Sequence, residues 1–173
     1  MRKVCGRILV VTGHQAGNLA YIPEKFPDVK LIYNPGYRDG MFSSVIIGLK
    51  NARFDRIFLM PGDIPAVREE TYRIMAQSDC DILLPAYRDQ TGHPVLIKRD
   101  CACKILQGPY RSLHEFILYH GYKTVETNDP GILLDTDFPR DFIRLERYMK
   151  IHDHHSYGAH RLRQDHQPPF PVL

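Results

Sequence analysis

The stretch that most constrains the fold is RIFLMPGDIP, residues 56–65. Ile57 to Met60 form an unbroken apolar run, which is typical of a strand buried on both faces of a parallel sheet. Pro61 and Gly62 end this run, so Asp63 follows at the carboxyl edge of the sheet, where open α/β folds bind ligands. The sequence therefore predicts a central strand with a carboxylate at the ligand-binding edge.

Two interpretations of Asp63 follow from the residues alone. Mg²⁺ prefers one or two carboxylates together with phosphate oxygens and water, so Asp63 can hold Mg²⁺ against a phosphate substrate. Asp is also a favourable helix N-cap, and Asp63 can instead begin the following helix. The local sequence favours neither.

Strand-like apolar runs alternate with helical patterns along most of the chain. We predict strands at residues 7–12, 29–33, 57–60, 81–87, 93–98, 122–127 and 132–134, and helices at residues 41–51, 68–77, 100–106, 112–119 and 139–149. Residues 81–98 can form a hairpin-like excursion. The alternation predicts an α/β fold whose mainly parallel sheet is covered by helices on both sides.

The composition is that of an ordinary globular protein and excludes several classes of function. The net charge of +3 is too small and too scattered to indicate nucleic acid binding. The apolar stretches are only as long as strands, so no membrane span is predicted, and no signal peptide is recognised. The four cysteines lack a framework spacing, so we expect a cytoplasmic protein. Cys101 and Cys103 form either a metal or redox pair or, as we favour, two ordinary thiols.

The chain divides at residue 149. Residues 1–149 are expected to form one domain. Residues 150–173 hold five histidines, three prolines and few aliphatic residues, and we expect an exposed or disordered tail. The run His152 to His155 can bind a metal, but solvated side chains are the favoured interpretation.

Five segments, taken together and in order, resemble the MobA-like NTP transferase family. They are VVTGH, NPGYRDGMFSSV, MPGDIP, TGHPVLIK and GILLDTDFPRDF, spread over roughly residues 8–145. Within the family they look most like CTP:molybdopterin cytidylyltransferases and related molybdenum hydroxylase accessory proteins. The resemblance implies a Rossmann-like three-layer sandwich of the nucleotide-diphospho-sugar transferase type.

The resemblance also implies a reaction. A nucleotidyl group passes from CTP (or GTP) to a phosphorylated pterin acceptor, molybdopterin or a similar compound, with release of pyrophosphate and with Mg²⁺ as cofactor. Asp63 matches the family's Mg²⁺-binding aspartate and Asp137 the second carboxylate on that metal, with Asp135 a less favoured choice. From the residues alone, Asp135, Asp137 and Asp141 can instead cap the helix that starts near Pro139 or interact with its dipole.

Two further segments resemble substrate-binding parts of the family. The first looks like the loop that recognises the nucleotide base or ribose, and its candidate residues are Gly40, Met41, Ser43 and Ser44. A glycine allows close approach, and amides and hydroxyls at a helix start can bind a ligand, although a simple serine cap is the alternative.

The second segment, Gly92, His93 and Pro94, resembles the family's GHP turn and is expected to line the acceptor site. His93 can contact a substrate phosphate or the pterin, or it can be held structurally beside the proline. We interpret His14, which follows the first strand, as structural.

One part of the family pattern is absent from this sequence. Family members begin with a strand and a glycine-rich loop, LAAGxSxRMGxxK, which wraps the triphosphate with backbone amides, Arg and Lys. We expect about two βα units, on the order of 50 residues, to be missing, and the sheet to lack an interior strand. The chain is then an N-terminal truncation with its missing part upstream, a degenerate homologue, or a protein completed by another protomer. An exposed strand edge favours self-association, so we expect a homo-oligomer.

Three functions remain open from the sequence. The first is a Mg²⁺-dependent nucleotidyltransferase of the molybdenum cofactor type, which the carboxylates Asp63 and Asp137 favour. The second is a catalytically inactive binding or accessory protein, which the missing loop favours. A sugar-nucleotide pyrophosphorylase is a weaker third possibility on the same fold.

Overall fold

The computed structural model describes residues 1–136 and 139–153. Its seven strands are β1 (Ile8–Thr12), β2 (Val29–Tyr33), β3 (Arg56–Leu59), β4 (Ile82–Tyr87), β5 (Gln90–Thr91), β6 (Val95–Lys98) and β7 (Lys123–Glu126). Its six α-helices are α1 (Ile22–Lys25), α2 (Met41–Asn51), α3 (Glu69–Ala76), α4 (Arg99–Gln107), α5 (Leu113–His120) and α6 (Pro139–Asp153). Three short 3₁₀ turns lie at Ala16–Leu19, Tyr37–Asp39 and Pro130–Leu133.

The strands form two sheets. β1 and β2 make a parallel pair, and the other five strands are ordered β3-β6-β4-β5, with β7 also paired to β4. β7 runs parallel to β4, whereas β6 lies antiparallel between β3 and β4. The antiparallel return of β6 is the predicted hairpin-like excursion, and it makes the larger sheet mixed.

The core lies on both faces of the larger sheet. Alternate residues of β4 and β6 point to opposite sides, because successive side chains of a strand alternate. Ile82 and Ile97 pack with α2, α4 and α5 around the fully buried Phe116, whereas Leu83 and Leu96 pack against Met75 of α3. This arrangement is the predicted sandwich of helix, sheet and helix layers.

β3 is not the central strand that its apolar sequence predicts. It pairs only with β6 and stands at the edge of the larger sheet in the described part of the chain. Its residues Ile57, Phe58 and Leu59 are half-buried. The strand is apolar because its open side faces a groove lined by apolar side chains, which is described below.

Most predicted boundaries agree with the observed ones to within two residues, and two larger differences lie near the C-terminal end. Residues 132–134 are not a strand, because the Asp129 carboxylate accepts a hydrogen bond from the Gly131 backbone N–H and stabilises the 3₁₀ turn Pro130–Leu133. Helix α6 continues past the predicted end at residue 149 to Asp153. The rest of the predicted tail, residues 154–173, lies outside the described residues.

Of the helices that the structure describes, none combines the length and the apolar character needed to cross a membrane.

Candidate functional site

A groove with a volume of about 1490 Å³ lies between β1 and β3. No hydrogen bonds pair these two strands anywhere in the described ranges. The groove ends at the carboxyl edge of both strands, next to Gly13 and Gly62, and the first turn of α2 and the turn before β6 also border it. The ligand-binding edge predicted from the sequence is therefore an open cavity.

Asp63 lies at this edge and has an unusual environment. Its Oδ1 atom is buried and has no hydrogen-bond partner among the described residues. A buried carboxylate oxygen without a partner is costly, so it points to a ligand that supplies one. The alternative interpretation, a helix cap, is wrong, because α3 begins only at Glu69 and its N-cap is Arg68.

His93 lies beside Asp63 and shares this property. Its Nδ1 atom is buried without a hydrogen-bond partner in the part of the chain that the structure describes. Burial lowers the pKa of His93, and the negative charge of Asp63 acts in the opposite direction. The imidazole is therefore neutral near pH 7, and it also hydrogen-bonds the Leu59 backbone.

The turn carrying His93 is fixed by close packing on the 3₁₀ turn Pro130–Leu133. The His93 backbone N–H donates to the Ile132 carbonyl at 3.1 Å. A Cβ atom at Gly92 would overlap that same carbonyl, so only glycine fits there. Pro94 is buried and follows a cis peptide bond.

Thr136, which follows Asp135, also contacts Asp63. The Thr136 hydroxyl donates to the Asp63 backbone carbonyl at 3.0 Å, which joins positions 73 residues apart. Asp135 is exposed. Asp137 lies outside the described residues, so its pairing with Asp63 on one metal stays a prediction.

The first turn of α2 is organised by Asn34, a residue that we did not single out from the sequence. Asn34 is 2% exposed. Its amide donates to the Ser43 hydroxyl at 2.8 Å and to the Ser44 hydroxyl at 3.0 Å. Ser43 in turn donates to the Gly36 or Gly40 carbonyl, so its hydroxyl is used inside the protein.

The serine-cap alternative for this loop is wrong. Gly40 is the N-cap of α2, and its φ of 92° favours glycine. Ser44 lines the groove, and no acceptor for its own hydroxyl hydrogen is found among the described residues. Ser44 is therefore the serine of the pair that can donate to a ligand.

The structure brings most of the predicted substrate-binding residues to one place. Those that line the groove are Met41, Ser44, Gly92 and His93, and His14, interpreted from the sequence as structural, lines it too. Gly40, Ser43 and Pro94 are next to these residues in the sequence but do not line the groove themselves.

The described residues contain no cluster of three or more Cys, His, Asp and Glu side chains suited to a metal. Cys101 and Cys103 lie in α4 as free thiols, and burial raises the pKa of Cys101, which belongs to the core.

Comparison with known proteins identifies the family of the chain. The family model for the MobA-like NTP transferase domain matches residues 1–125. The molybdenum cofactor cytidylyltransferase of Escherichia coli is 30% identical over 150 residues, which cover 85% of this chain and 78% of that protein.

Solved structures show the same fold. A nucleotidyl transferase from Methanothermobacter thermautotroptrophicus superposes with a TM-score of 0.71 at 23% identity, covering 84% of this chain and 74% of that one. Rv0371c from Mycobacterium tuberculosis superposes with a TM-score of 0.65 at 20% identity, covering 84% and 78%. The chain belongs to the MobA-like NTP transferase family and is a nucleotidyltransferase.

Proposed function

We propose that this protein transfers a cytidylyl group from CTP to a phosphorylated pterin acceptor, molybdopterin, and releases pyrophosphate in a Mg²⁺-dependent reaction. The observation that carries the proposal is the buried, unpartnered Oδ1 atom of Asp63, which directly follows the groove-lining residue Gly62. The E. coli relative supports the choice of donor and acceptor, because it is a molybdenum cofactor cytidylyltransferase.

Asp63 would hold the metal, with Asp137 as the second carboxylate. The orphaned Asp63 oxygen fits Mg²⁺, which binds one or two carboxylates together with phosphate oxygens and water. When bound, Mg²⁺ would neutralise charge on the triphosphate and make the α-phosphorus easier to attack. Rv0371c, which shares the fold, has been crystallised in complex with manganese.

The chain's own residues supply positioning. An acceptor phosphate oxygen forms a bond to the α-phosphorus of CTP, and the bond to the β-phosphate oxygen breaks, so pyrophosphate leaves with that electron pair. Two anions must be held together for this step, and fixed placement lowers the barrier. Neutral His93 and the Ser44 hydroxyl can hydrogen-bond these substrates without adding charge.

The direct test is calorimetric titration with CTP, GTP and UTP, with and without Mg²⁺, on wild type and Asp63→Asn. We expect CTP to bind best, to need Mg²⁺, and to bind at least about tenfold more weakly to Asp63→Asn, because the metal loses a charged ligand. Asp55→Asn is the matched control, since Asp55 is an exposed acid just before the opposite end of β3. Tight, metal-independent binding that ignores Asp63→Asn would remove Asp63 from this role.

A binding or accessory protein without turnover is the second candidate to be tested. A pyrophosphate-release assay with CTP and molybdopterin separates the two candidates, because the accessory protein would bind CTP and release nothing. Release with a sugar phosphate as the acceptor would instead identify a sugar-nucleotide pyrophosphorylase.

We further propose a cytoplasmic homo-oligomer. The free thiols of Cys5, Cys80, Cys101 and Cys103 suit a reducing compartment. In the described structure β1 and β3 each leave one edge without a strand partner, and such edges favour association. Light scattering at working concentration tests the assembly, and a purely monomeric protein would contradict it.

A further inference from the structure

We propose that Asp129 is a positioning residue, whose buried carboxylate sets the spacing between Asp63 and the segment that precedes Asp137. The inference rests on the proposed function, because it concerns the metal that Asp63 would hold. Asp129 itself is remote from the groove lining and does not need to touch a substrate. Asp129 would act by fixing the positions of the two segments to which it is hydrogen-bonded, the one that ends at Arg68 and the one that begins at Gly131.

Four donors converge on the Asp129 carboxylate, which belongs to a side chain that is only 3% exposed. Oδ2 accepts from the Arg68 backbone N–H at 2.8 Å and from the Thr71 hydroxyl at 2.6 Å. Oδ1 accepts from the Gly131 backbone N–H at 2.9 Å and from the Tyr148 hydroxyl at 2.6 Å. A carboxylate has about four acceptor sites, so every direction in which it can bind is used.

Further contacts keep these donors in place. Arg68 Nε lies 3.7 Å from Asp129 Oδ1 and donates to the Tyr148 hydroxyl at 2.8 Å. Burial and the bond to Asp129 raise the pKa of Tyr148 to about 12, so its hydroxyl remains a donor throughout the physiological range. The result is a fixed junction, which we call the Asp129 junction, between the start of α3, the turn Pro130–Leu133 and helix α6.

The Asp129 junction is one of two attachments between the acidic segments. Arg68 ends the segment that begins at Asp63, and Gly131 begins the segment that leads to Thr136. At the far end of these segments, the Thr136 hydroxyl donates to the Asp63 carbonyl. The segment from Asp63 to Arg68 is therefore held against the segment from Gly131 to Thr136 at both ends. Thr136 makes the contact at the Asp63 end, and Asp129 makes it at the Arg68 end.

The backbones between these attachments are in direct contact. A Cβ atom at Gly131 would overlap the Ala66 carbonyl, so residue 131 packs directly on the Asp63 segment. The His93 turn rests on the same 3₁₀ turn through the Ile132 carbonyl. The segments that carry Asp63 and His93 thus pack on the turn that Asp129 caps, and the segment that carries Thr136 follows it.

This arrangement explains why a charged group occupies a buried position. An apolar side chain could fill the space, but it would leave the Arg68 and Gly131 amides without acceptors. A carboxylate fixes both the distance and the direction of its donors. Metal binding needs this precision, because ligands displaced by a fraction of an ångström lose affinity.

The experiment measures Mn²⁺ binding to the full chain by electron paramagnetic resonance, which does not require turnover. Asp129→Asn keeps the shape but turns an N–H₂ group toward two of the four donors. We expect it to bind Mn²⁺ at least about tenfold more weakly, while cytidylyl transfer recovers when Mn²⁺ is raised to saturation. Glu69→Gln is the matched control, because Glu69 pairs with Arg73 and Lys3 on the surface of α3 and does not contact Asp129.

Each outcome decides a different claim. Wild type that binds no Mn²⁺ overturns the proposed function and this inference with it. Wild type that binds Mn²⁺ with the same affinity as a folded Asp129→Asn overturns the inference alone. If Asp129→Asn does not fold, Tyr148→Phe takes its place, because it removes one donor and leaves the carboxylate in position. If Tyr148→Phe binds Mn²⁺ about threefold more weakly than wild type, the inference is supported. If its Mn²⁺ affinity is unchanged, the inference is overturned.

Discussion

The site is bordered by two regions with opposite character, the Asp129 junction and the groove between β1 and β3. In the Asp129 junction, a buried carboxylate accepts four hydrogen bonds, and backbones touch where Gly131 and Gly92 leave no room for a Cβ atom. In the groove, two strand edges have no partner among the described residues, and apolar side chains are half-buried. The site is therefore tightly held on its acidic side and open on the side of β1.

This difference divides the work of binding. A divalent cation needs ligands at fixed positions, and the tightly held side provides Asp63 in such a place. The nucleotide and pterin of the proposed reaction are large together, and the open side has a volume of about 1490 Å³. The four predictions below test the contrast between the two regions, in order of decreasing effect.

The largest effect is expected from Gly131→Ala in the Asp129 junction. The new methyl group would overlap the Ala66 carbonyl and approach the Asp129 carboxylate, and neither can move far in a buried turn. Overpacking of this kind should lower the free energy of unfolding by about 3 kcal/mol. Denaturant unfolding followed by circular dichroism measures the change.

Gly6→Ala is the control for this substitution in the groove. No atom lies within 4 Å of a Cβ atom at Gly6, so the change should stay within about 0.5 kcal/mol. Equal effects at Gly131 and Gly6 would mean that the two regions do not differ in packing.

A smaller loss is expected from Thr71→Val. The Thr71 hydroxyl donates to Asp129 in a position that is 1% exposed, so its removal leaves a buried carboxylate short of one donor. The cost should be about 2 kcal/mol, measured by the same unfolding experiment. Thr71→Ser keeps the hydroxyl and should retain most of the stability, whereas a loss as large as that of Thr71→Val would show that the methyl group matters instead.

The third prediction concerns alkaline pH. Because the pKa of Tyr148 is raised from 10.0 to about 12 in the folded protein, the unfolded chain loses this proton first. The stabilisation by Tyr148 is complete below pH 10 and declines as the pH rises from 10 toward 12. Tyr148→Phe should therefore lower the melting temperature at pH 8, and the difference from wild type should shrink above pH 10. A difference independent of pH would contradict the assigned contact.

The smallest effect, and one of opposite sign, is expected from Gly48→Ala in the groove wall. Gly48 lies within helix α2, where glycine costs roughly 0.5–1 kcal/mol relative to alanine. A Cβ atom there would lie 3.4 Å from Val11 Cγ2, which is an ordinary contact. The variant should be more stable by about 0.5 kcal/mol. Destabilisation would show that the wall between α2 and β1 is packed as tightly as the Asp129 junction.

Local patterns in the sequence predicted most of the elements. The apolar period of residues 41–51 gave α2 with its observed boundaries, and the run Val29 to Tyr33 gave β2. Asp63 lies just beyond the carboxyl end of β3, as predicted, because a strand that ends at Pro-Gly leaves few alternatives. The edge position of β3 was missed, since its apolar residues indicate burial but do not say which strands pair with it.

The residues that organise the site were missed for a related reason. Asn34 and Asp129 both precede or begin turn sequences, NPG and NDPG, and such sequences predict surface turns. Both residues are instead only 2% exposed, because their partners come from distant positions. Asn34 hydrogen-bonds Ser43 and Ser44, which follow it by 9 and 10 residues. Asp129 hydrogen-bonds Arg68 and Thr71, which precede it by 61 and 58 residues. No local pattern carries that information.

The sequence separation of the Asp129 contacts also has a kinetic consequence. Bonds that span 58 and 61 residues close long loops, and the entropy lost on closure must be recovered by contacts that form at the same time. The sheet pairs β3–β6 and β4–β6 close shorter loops. We therefore expect the Asp129 contacts to form after these strands have paired, so that a partly folded chain with only β3, β4 and β6 in place would lack the arrangement proposed to bind the metal.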